Sequence, residues 1–226
     1  MKEIVVKDNP KSAIAESIKN VKTNLRFSGI NKKLQTILIT SSFHGEGKSF
    51  ISANLAATYV TANEKVLLID CDMRKGRQRE IFEIKDRYRL GLSNLLIDSK
   101  WRSNLDYYIY SSEIKNLDVL TAGSIPPNPN ILLESLKIEK VMEELRKRYE
   151  IIILDAPPVG GLADALILSR LADVVLIVAR SDKTTKELLE STKVALQNVN
   201  ANIAGVIFNG STRKYDKYYS KYYQEG

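Results

Sequence analysis

Apolar and polar positions along the chain follow two different patterns. Short apolar runs rich in β-branched residues, beginning with QTILIT at residues 35–40, are typical of strands buried on both faces. Segments with apolar residues three and four apart indicate helices, and the first of these covers residues 12–26. The other predicted strands cover residues 65–70, 117–122, 150–155, 173–179 and 203–209, and the other predicted helices cover residues 48–62, 92–97, 131–149, 164–171 and 185–198.

This order of elements predicts an α/β fold. Apolar strands separated by helices require a mainly parallel, doubly wound sheet with helices on both faces, and such a sheet binds ligands at the carboxyl ends of its strands. We expect a single domain of residues 35–210, an N-terminal segment of residues 1–34 with an amphipathic helix, and a flexible tail of residues 211–226. The polar segment 75–90 is predicted to be a surface excursion.

The distribution of charge along the chain bears on the partners that the protein can bind. The net charge is +7, and the excess lies at the ends: residues 1–40 hold eight Lys and Arg against three Asp and Glu, and residues 213–226 hold four against two. Nucleic-acid-binding proteins usually concentrate basic residues on a folded face, so nucleic acid is not expected as a partner. Acidic lipid headgroups or an acidic partner stay open as targets of the two basic ends.

Cysteine usage and hydropathy favour a cytoplasmic protein. The single cysteine, Cys71, cannot form an internal disulfide and is expected to lie in the core, which is typical of a reducing compartment. No apolar run reaches the roughly 18 residues of a membrane span, and the N-terminus lacks the apolar region of a signal peptide.

The turn after the first predicted strand, SSFHGEGKSF, carries the most specific chemistry. Glycines let backbone N–H groups curl around a phosphate, the lysine reaches the outer phosphates, and the serine can ligate magnesium. The turn is therefore predicted to be a P-loop for ATP and Mg²⁺, with Ser42 where the pattern has glycine. The predicted nucleotide-binding residues are Gly45, Glu46, Gly47, Lys48, Ser49 and Phe50. For His44, a contact to phosphate or tyrosine and a tolerated loop position are both open.

Three aspartates lie at or just after the ends of two predicted strands. Asp70 and Asp72 are two residues apart, so strand alternation is expected to point both to the same side. Together they can hold water-ligated Mg²⁺ and accept a proton from an attacking hydroxyl. Asp155 ends another strand, where P-loop enzymes keep a magnesium-orienting carboxylate. The predicted catalytic residues are Lys48, Asp70, Asp72 and Asp155, and the predicted metal residues are Ser49, Asp70 and Asp155; whether Asp70 or Asp72 is the base stays open.

These motifs resemble those of the bacterial tyrosine kinases of capsular and exopolysaccharide synthesis. GEGKS resembles the Walker A motif of that family, LLIDCDMRK its additional Walker A′ motif, and IIILDAPP its Walker B motif. The stretch LDVLTAGSIPPNPNILLES and the terminal YDKYYSKYY are also similar to family segments. The resemblance implies a P-loop NTPase fold of the Min/Par-like branch. It also implies an ATP- and Mg²⁺-dependent protein-tyrosine kinase that regulates polysaccharide synthesis and export.

The resemblance assigns further residues. It implies autophosphorylation in trans at Tyr215, Tyr218, Tyr219, Tyr222 and Tyr223. Asn209 looks like the purine-contacting position of the family, with a turn role beside Gly210 as the alternative. Glu16, Lys19 and Lys22 match the Glu-x-x-Arg-x-x-Arg pattern of ring assembly, although lysine lacks the planar fork of arginine. Arg74 and Lys75 either neutralise the transferring phosphate or form solvated salt bridges.

The resemblance also implies a partner. Full activity in the family depends on the cytoplasmic tail of a membrane-spanning activator, and this chain resembles the form in which the activator is separate. We therefore expect recruitment to the inner face of the cell membrane, homo-oligomers and protein tyrosine substrates. One alternative is a Min/Par-type ATPase switch, but its signature lysine would stand at Phe43. Another is a catalytically silent nucleotide-binding scaffold, which the intact carboxylates disfavour.

Overall fold

A computed structural model of the chain describes residues 3–28, 34–60, 64–85 and 87–211. The strands within these residues are β1 (Thr36–Ser41), β2 (Val66–Asp70), β3 (Ile109–Ser111), β4 (Leu117–Leu120), β5 (Ile151–Asp155), β6 (Val174–Arg180) and β7 (Ile203–Asn209). They form one sheet in the order β3-β4-β2-β5-β1-β6-β7. Every neighbouring pair is parallel except β3 and β4, so the predicted mainly parallel sheet is confirmed.

Helices cover both faces of the sheet. In chain order they are α1 (Val5–Asp8), α2 (Ala13–Ser28), α3 (Lys48–Tyr59), α4 (Gln78–Ile81), α5 (Leu92–Ile97), α6 (Trp101–Asn104), α7 (Pro129–Glu134), α8 (Leu136–Arg146), α9 (Asp164–Ser169) and α10 (Lys186–Asn198), with a 3₁₀ turn at Leu105–Tyr108. Successive residues of β1 face opposite layers: Leu38 packs in one apolar cluster, whereas Ile37 and Ile39 pack in the other. β1 therefore lies in the interior of the sheet, between β5 and β6, and is buried on both faces.

Two expectations about local structure are wrong. The helix predicted at residues 131–149 is broken at Ser135, whose backbone is extended and whose hydroxyl donates to the Leu132 carbonyl at 2.7 Å. Such a bond competes with the helical pattern. The polar segment 75–90 is not only a surface excursion, because it contains α4, and Gln78, Ile81 and Phe82 are buried.

Other expectations concern single residues and the chain ends. Cys71 is 1% exposed and packs in an apolar cluster, as predicted. The tail from residue 212 onward lies outside the described residues. Among the residues that are described, no helix has the length and hydropathy needed to cross a bilayer.

Asp173 anchors the start of β1, which gives a test of the fold. Its Oδ2 accepts from the backbone N–H groups of Gln35 and Thr36, at 2.9 and 2.7 Å, and Thr36 is fully buried. We expect Asp173→Ala to lower the free energy of unfolding by about 1–3 kcal/mol, because a buried N–H loses its acceptor. Thermal denaturation should show a fall in Tm of roughly 2–12 °C.

The matched control is Asp182→Ala, which removes an exposed carboxylate that pairs with Arg180. Exposed pairs contribute little, so this variant should melt close to the unchanged protein. Equal melting of the two variants would contradict the anchoring role of Asp173.

Candidate active site

The loop between β1 and α3 has the backbone of a phosphate-binding turn. Gly45 and Gly47 have φ of +79° and +95°, in the left-handed region that favours glycine. A Cβ on Gly47 would lie 2.1 Å from Asn209 Nδ2, so the loop also needs glycine for close packing. Lys48 and Ser49 follow as the first residues of α3, at the end of the helix that attracts anions.

Side chains from the segment after β6 and from the end of β7 brace this loop. Glu46 is 1% exposed, and its carboxylate accepts from the Phe43 N–H at 2.8 Å and from the Thr184 hydroxyl. Asn209 Nδ2 donates to the Glu46 carbonyl at 2.9 Å, which joins the end of β7 to the loop. Glu46 therefore faces inward and shapes the loop, and it is the backbone of this segment that is left to contact a nucleotide.

Ser42, which stands where the P-loop pattern has glycine, has a hydrogen-bond partner on α10. The Ser42 hydroxyl is fully buried and lies 2.8 Å from the Thr192 hydroxyl of α10. Phe43, in contrast, is 51% exposed at the tip of the loop and contacts the His44 ring, with centroids 4.2 Å apart. Phe50 is partly buried, and it lies on α3 beside α2 and the end of β7. The loop is thus tied to α10 on one side and exposes two aromatic rings on the other.

The structure brings Asp70 and Asp155 together. They are directly paired residues at the carboxyl ends of the adjacent parallel strands β2 and β5, and each is 1% exposed. Burial and the charge of Asp155 raise the pKa of Asp70 well above its usual value. Burial also raises the pKa of Asp155, although the Lys48 ammonium group opposes this shift. The two carboxylates therefore repel each other at a buried position.

Asp72 occupies a different position from Asp70. The expectation that both share one side of a strand is wrong, because β2 ends at Asp70 and Asp72 lies in the following turn. There its Oδ1 accepts from the N–H groups of Arg74 and Lys75, at 3.2 and 2.9 Å. The Arg74 guanidinium forms an ion pair with Asp164, which is buried at the start of α9. Asp72 is only half-buried and remains the more accessible carboxylate.

Two residues that the sequence motifs do not single out also contact Asp155. Gln78 Nε2 donates to its Oδ2 at 2.7 Å, and the Ser52 hydroxyl lies 3.2 Å from its Oδ1. Ser52 could be found from its spacing, since it lies one helical turn after Lys48 in α3. Gln78 could not, because it stands in a polar segment with no apolar period.

The residues of this site suit a nucleotide with Mg²⁺. Two desolvated carboxylates that repel each other gain a favourable partner in a divalent cation, and oxygen ligands are the ones that Mg²⁺ prefers. Lys48 is 8% exposed at the mouth of the loop, where a phosphate would meet its charge. Among the described residues, no group of three or more His, Cys, Asp or Glu forms an all-protein metal cage, so a cation here would take further ligands from phosphate and water.

The residues expected in ring assembly lie away from this site. Lys19 Nζ contacts Glu16 Oε1 at 2.6 Å and the Pro10 carbonyl at 2.8 Å. Lys22 Nζ donates to the Thr58 carbonyl at 3.0 Å and lies 5.0 Å from the centre of the Tyr59 ring. All three side chains are thus engaged within the chain. The five tail tyrosines lie outside the described residues.

Comparison with known proteins shows the family. A model of the AAA domain matches residues 34–205. A Staphylococcus aureus protein, the putative tyrosine-protein kinase CapB, is 36% identical over 223 residues, which are 99% of this chain and 95% of that protein. The chain belongs to the bacterial tyrosine-protein kinases. A Klebsiella pneumoniae relative, named as a putative tyrosine-protein kinase in the cps region, is 33% identical over 94% of this kinase and 29% of its own length.

Solved structures agree with this assignment. The chimerical protein CapA2B2 has a TM-score of 0.84 to this kinase and 36% sequence identity, with 92% of this chain and 89% of that chain covered. The septum site-determining protein MinD of Pyrococcus horikoshii, complexed with Mg-ADP, has a TM-score of 0.65 at 23% identity, with 80% and 72% covered. The second likeness shows the fold alone, and that fold agrees with the predicted doubly wound sheet. The predicted enzyme class, a protein-tyrosine kinase, is confirmed, and neither alternative is supported.

The repulsion between Asp70 and Asp155 predicts a pH dependence of stability. Because the pKa of Asp70 is higher in the folded than in the unfolded chain, the folded kinase binds more protons between these values, and its free energy of unfolding falls as pH rises. Asp70→Asn keeps an oxygen for the Gln78 N–H but removes the charge. We expect the nucleotide-free variant to lose less stability than the unchanged kinase between about pH 5 and about pH 8.

The measurement is the Tm of both proteins across this range, without nucleotide or divalent cations. Asp106→Asn, at an exposed carboxylate, is the control and should follow the unchanged kinase. Parallel curves for Asp70→Asn and the unchanged kinase would show that the buried pair does not store this repulsion.

Proposed function

We propose that this kinase transfers the terminal phosphoryl group of ATP to the tyrosines at 215–223 of a neighbouring copy. The observation that carries the proposal is the facing pair Asp70 and Asp155 beside Lys48, at the carboxyl ends of the strands that adjoin the phosphate loop. The transition state of phosphoryl transfer is loose, so positioning and charge supply most of the rate. The site provides both.

The phosphate loop would bind the nucleotide. Backbone N–H groups of residues 45–50 and the Lys48 ammonium contact the phosphates, and Asn209 lies close enough to the loop to sit beside the base. The Ser49 hydroxyl, Asp70 and Asp155 would hold Mg²⁺, Ser49 directly and the two carboxylates through water. Bound Mg²⁺ supplies neutralisation of the phosphate charge.

Asp72 is the better candidate for the base. A tyrosine on another chain must reach the carboxylate that takes its proton, and Asp70 is 1% exposed whereas Asp72 is half-buried in the turn. The turn holds Asp72 through two backbone N–H groups, so the side chain is oriented before substrate arrives. Asp70 is then left to the cation.

The cellular role follows from the family. We infer that a separate membrane-spanning activator recruits this kinase to the inner face of the cell membrane and that the pair regulates capsular or exopolysaccharide synthesis. The CapA2B2 chimera and the cps-region name of one relative support this inference. Ring assembly through Glu16, Lys19 and Lys22 stays a prediction, since it would have to compete with their contacts inside the chain.

Lys48→Met tests the kinase assignment. We expect it to abolish phosphate incorporation into the tail, because the phosphates lose their principal cation, whereas Lys193→Met on the exposed face of α10 leaves incorporation unchanged. The measurement is intact mass and tail-peptide mapping after incubation with ATP and Mg²⁺. Labelling of the tail by the Lys48→Met protein would contradict the assignment.

The two aspartates predict different kinetic defects. Asp72→Asn should lower kcat by about 10²–10⁴-fold, as loss of a general base does, with little change in nucleotide binding. Asp70→Asn should instead raise the Mg²⁺ concentration needed for nucleotide binding. Steady-state kinetics with a tail peptide and Mg²⁺ titrations separate these effects, and a normal kcat for Asp72→Asn would move the base to Asp70.

Adding the cytoplasmic tail of the activator to the kinase tests the proposed partner. The kinase alone should be weakly active, and the cytoplasmic tail of the activator should raise the rate of phosphotyrosine formation. Equal rates with and without that tail, measured by anti-phosphotyrosine blot over time, would count against a separate activator.

A further inference from the structure

Gln78 joins the three parts of the candidate site. It is the first residue of α4 and is fully buried. Its backbone N–H donates to Asp70 Oδ2 at 2.9 Å. Its side-chain Nε2 donates to Asp155 Oδ2 at 2.7 Å and to the Ser49 carbonyl at 3.0 Å. One residue therefore contacts both carboxylates and the first turn of α3.

These contacts fix the orientation of the amide. Both neighbours of Nε2 are acceptors, a carboxylate and a carbonyl, so they require the NH₂ group and use both of its hydrogens. Exchange of Nε2 and Oε1 would set oxygen against oxygen at both contacts. The amide oxygen is therefore assigned by the hydrogen-bond network, and its place in the site is determined.

The amide oxygen of Gln78 lacks a donor. Among the described residues, Oε1 is a buried side-chain atom without a hydrogen-bond partner. A buried acceptor in this state costs about 1–3 kcal/mol, and native structures usually avoid that cost. Oε1 belongs to the same planar group whose Nε2 contacts Asp155, so a donor that satisfies it would lie within a few ångströms of the carboxylate site. The water ligands that Mg²⁺ retains are O–H donors of this kind.

We propose that Gln78 is a positioning residue for the magnesium shell: its amide hydrogens hold Asp155 in place, and its amide oxygen accepts a hydrogen bond from a metal-bound water. The inference rests on the proposed magnesium role of Asp70 and Asp155. Groups that orient metal ligands and their waters tune metal affinity strongly although they do not touch the metal. Gln78 also ties the chain segment that follows Asp72 to α3, through its bond to the Ser49 carbonyl.

The test is the Mg²⁺ dependence of ADP binding, measured with a fluorescent ADP analogue and without phosphoryl transfer. Gln78→Met keeps the length of the side chain and removes both the NH₂ and the C=O of the amide. We expect the Mg²⁺ concentration for half-saturation to rise about 10- to 100-fold, with the affinity for ADP in the absence of Mg²⁺ unchanged. In kinetics, the KM for Mg²⁺ should rise while the KM for the tail peptide stays the same.

Further variants separate positioning from folding. Gln78→Asn keeps the amide and the backbone N–H to Asp70, but its side chain is one methylene too short to reach Asp155. It should weaken Mg²⁺ binding as Gln78→Met does, and it serves as the test if the Met variant fails to fold. Ser52→Ala removes another side-chain neighbour of Asp155 and should have a smaller effect. Glu80→Gln, exposed on the same short helix, should have none.

Two outcomes would overturn the proposal. If both Gln78 variants lower the Tm but need no more Mg²⁺ than the unchanged kinase, Gln78 only holds α4 in place. If ADP binding by the unchanged kinase does not depend on Mg²⁺, the magnesium role of Asp70 and Asp155 fails, and the inference fails with it. Because ADP binding requires no kinase activity, neither outcome depends on whether the tail is phosphorylated.

Discussion

The repulsion between two buried carboxylates is the constraint on which the rest of the site depends. Asp70 and Asp155 face each other across the β2–β5 pair, where the strands exclude water and Lys48 supplies the compensating charge. A fold optimised for stability alone would avoid this pair. We infer that the pair becomes favourable once a divalent cation and phosphates are bound, so that the ligand relieves the repulsion present in the free kinase. The surrounding hydrogen bonds from Gln78 and Ser52 keep the carboxylates in place until then.

The phosphate loop depends on the same central sheet. Its glycines allow the turn, but its shape is held by Thr184 and Asn209 from the β6 and β7 side and by Thr192 from α10. The carboxylates are held from the opposite side of β1, by the turn that follows β2. The proposed nucleotide site therefore lies between two supports, and both of them adjoin β1 and α3.

Much of this could be predicted from sequence because the signals are local. Gly45, Gly47, Lys48 and Ser49 form a contiguous motif between a strand and a helix, and strand ends of a parallel sheet converge, so Asp70 and Asp155 could be placed together. The wrong predictions concern features that depend on contacts beyond the local sequence pattern. Strand alternation does not continue past Asp70, because Asp72 accepts from the N–H groups of Arg74 and Lys75 in the turn. Burial of Gln78 depends on acceptors 29 and 77 residues away. The break at Ser135 depends on one hydroxyl, and β3 is three residues long, too short for a period to show.

The central claim is that the Asp70–Asp155 pair exists to hold a divalent cation against the phosphate loop. The most direct measurement is a crystal structure with a non-hydrolysable ATP analogue and Mn²⁺, in which anomalous scattering locates the metal. The account predicts one strong peak bonded to the Ser49 hydroxyl and to phosphate oxygens, with its water ligands hydrogen-bonded to Asp70 and Asp155. A nucleotide bound in the loop with no metal at this position, or with the metal elsewhere, would contradict it.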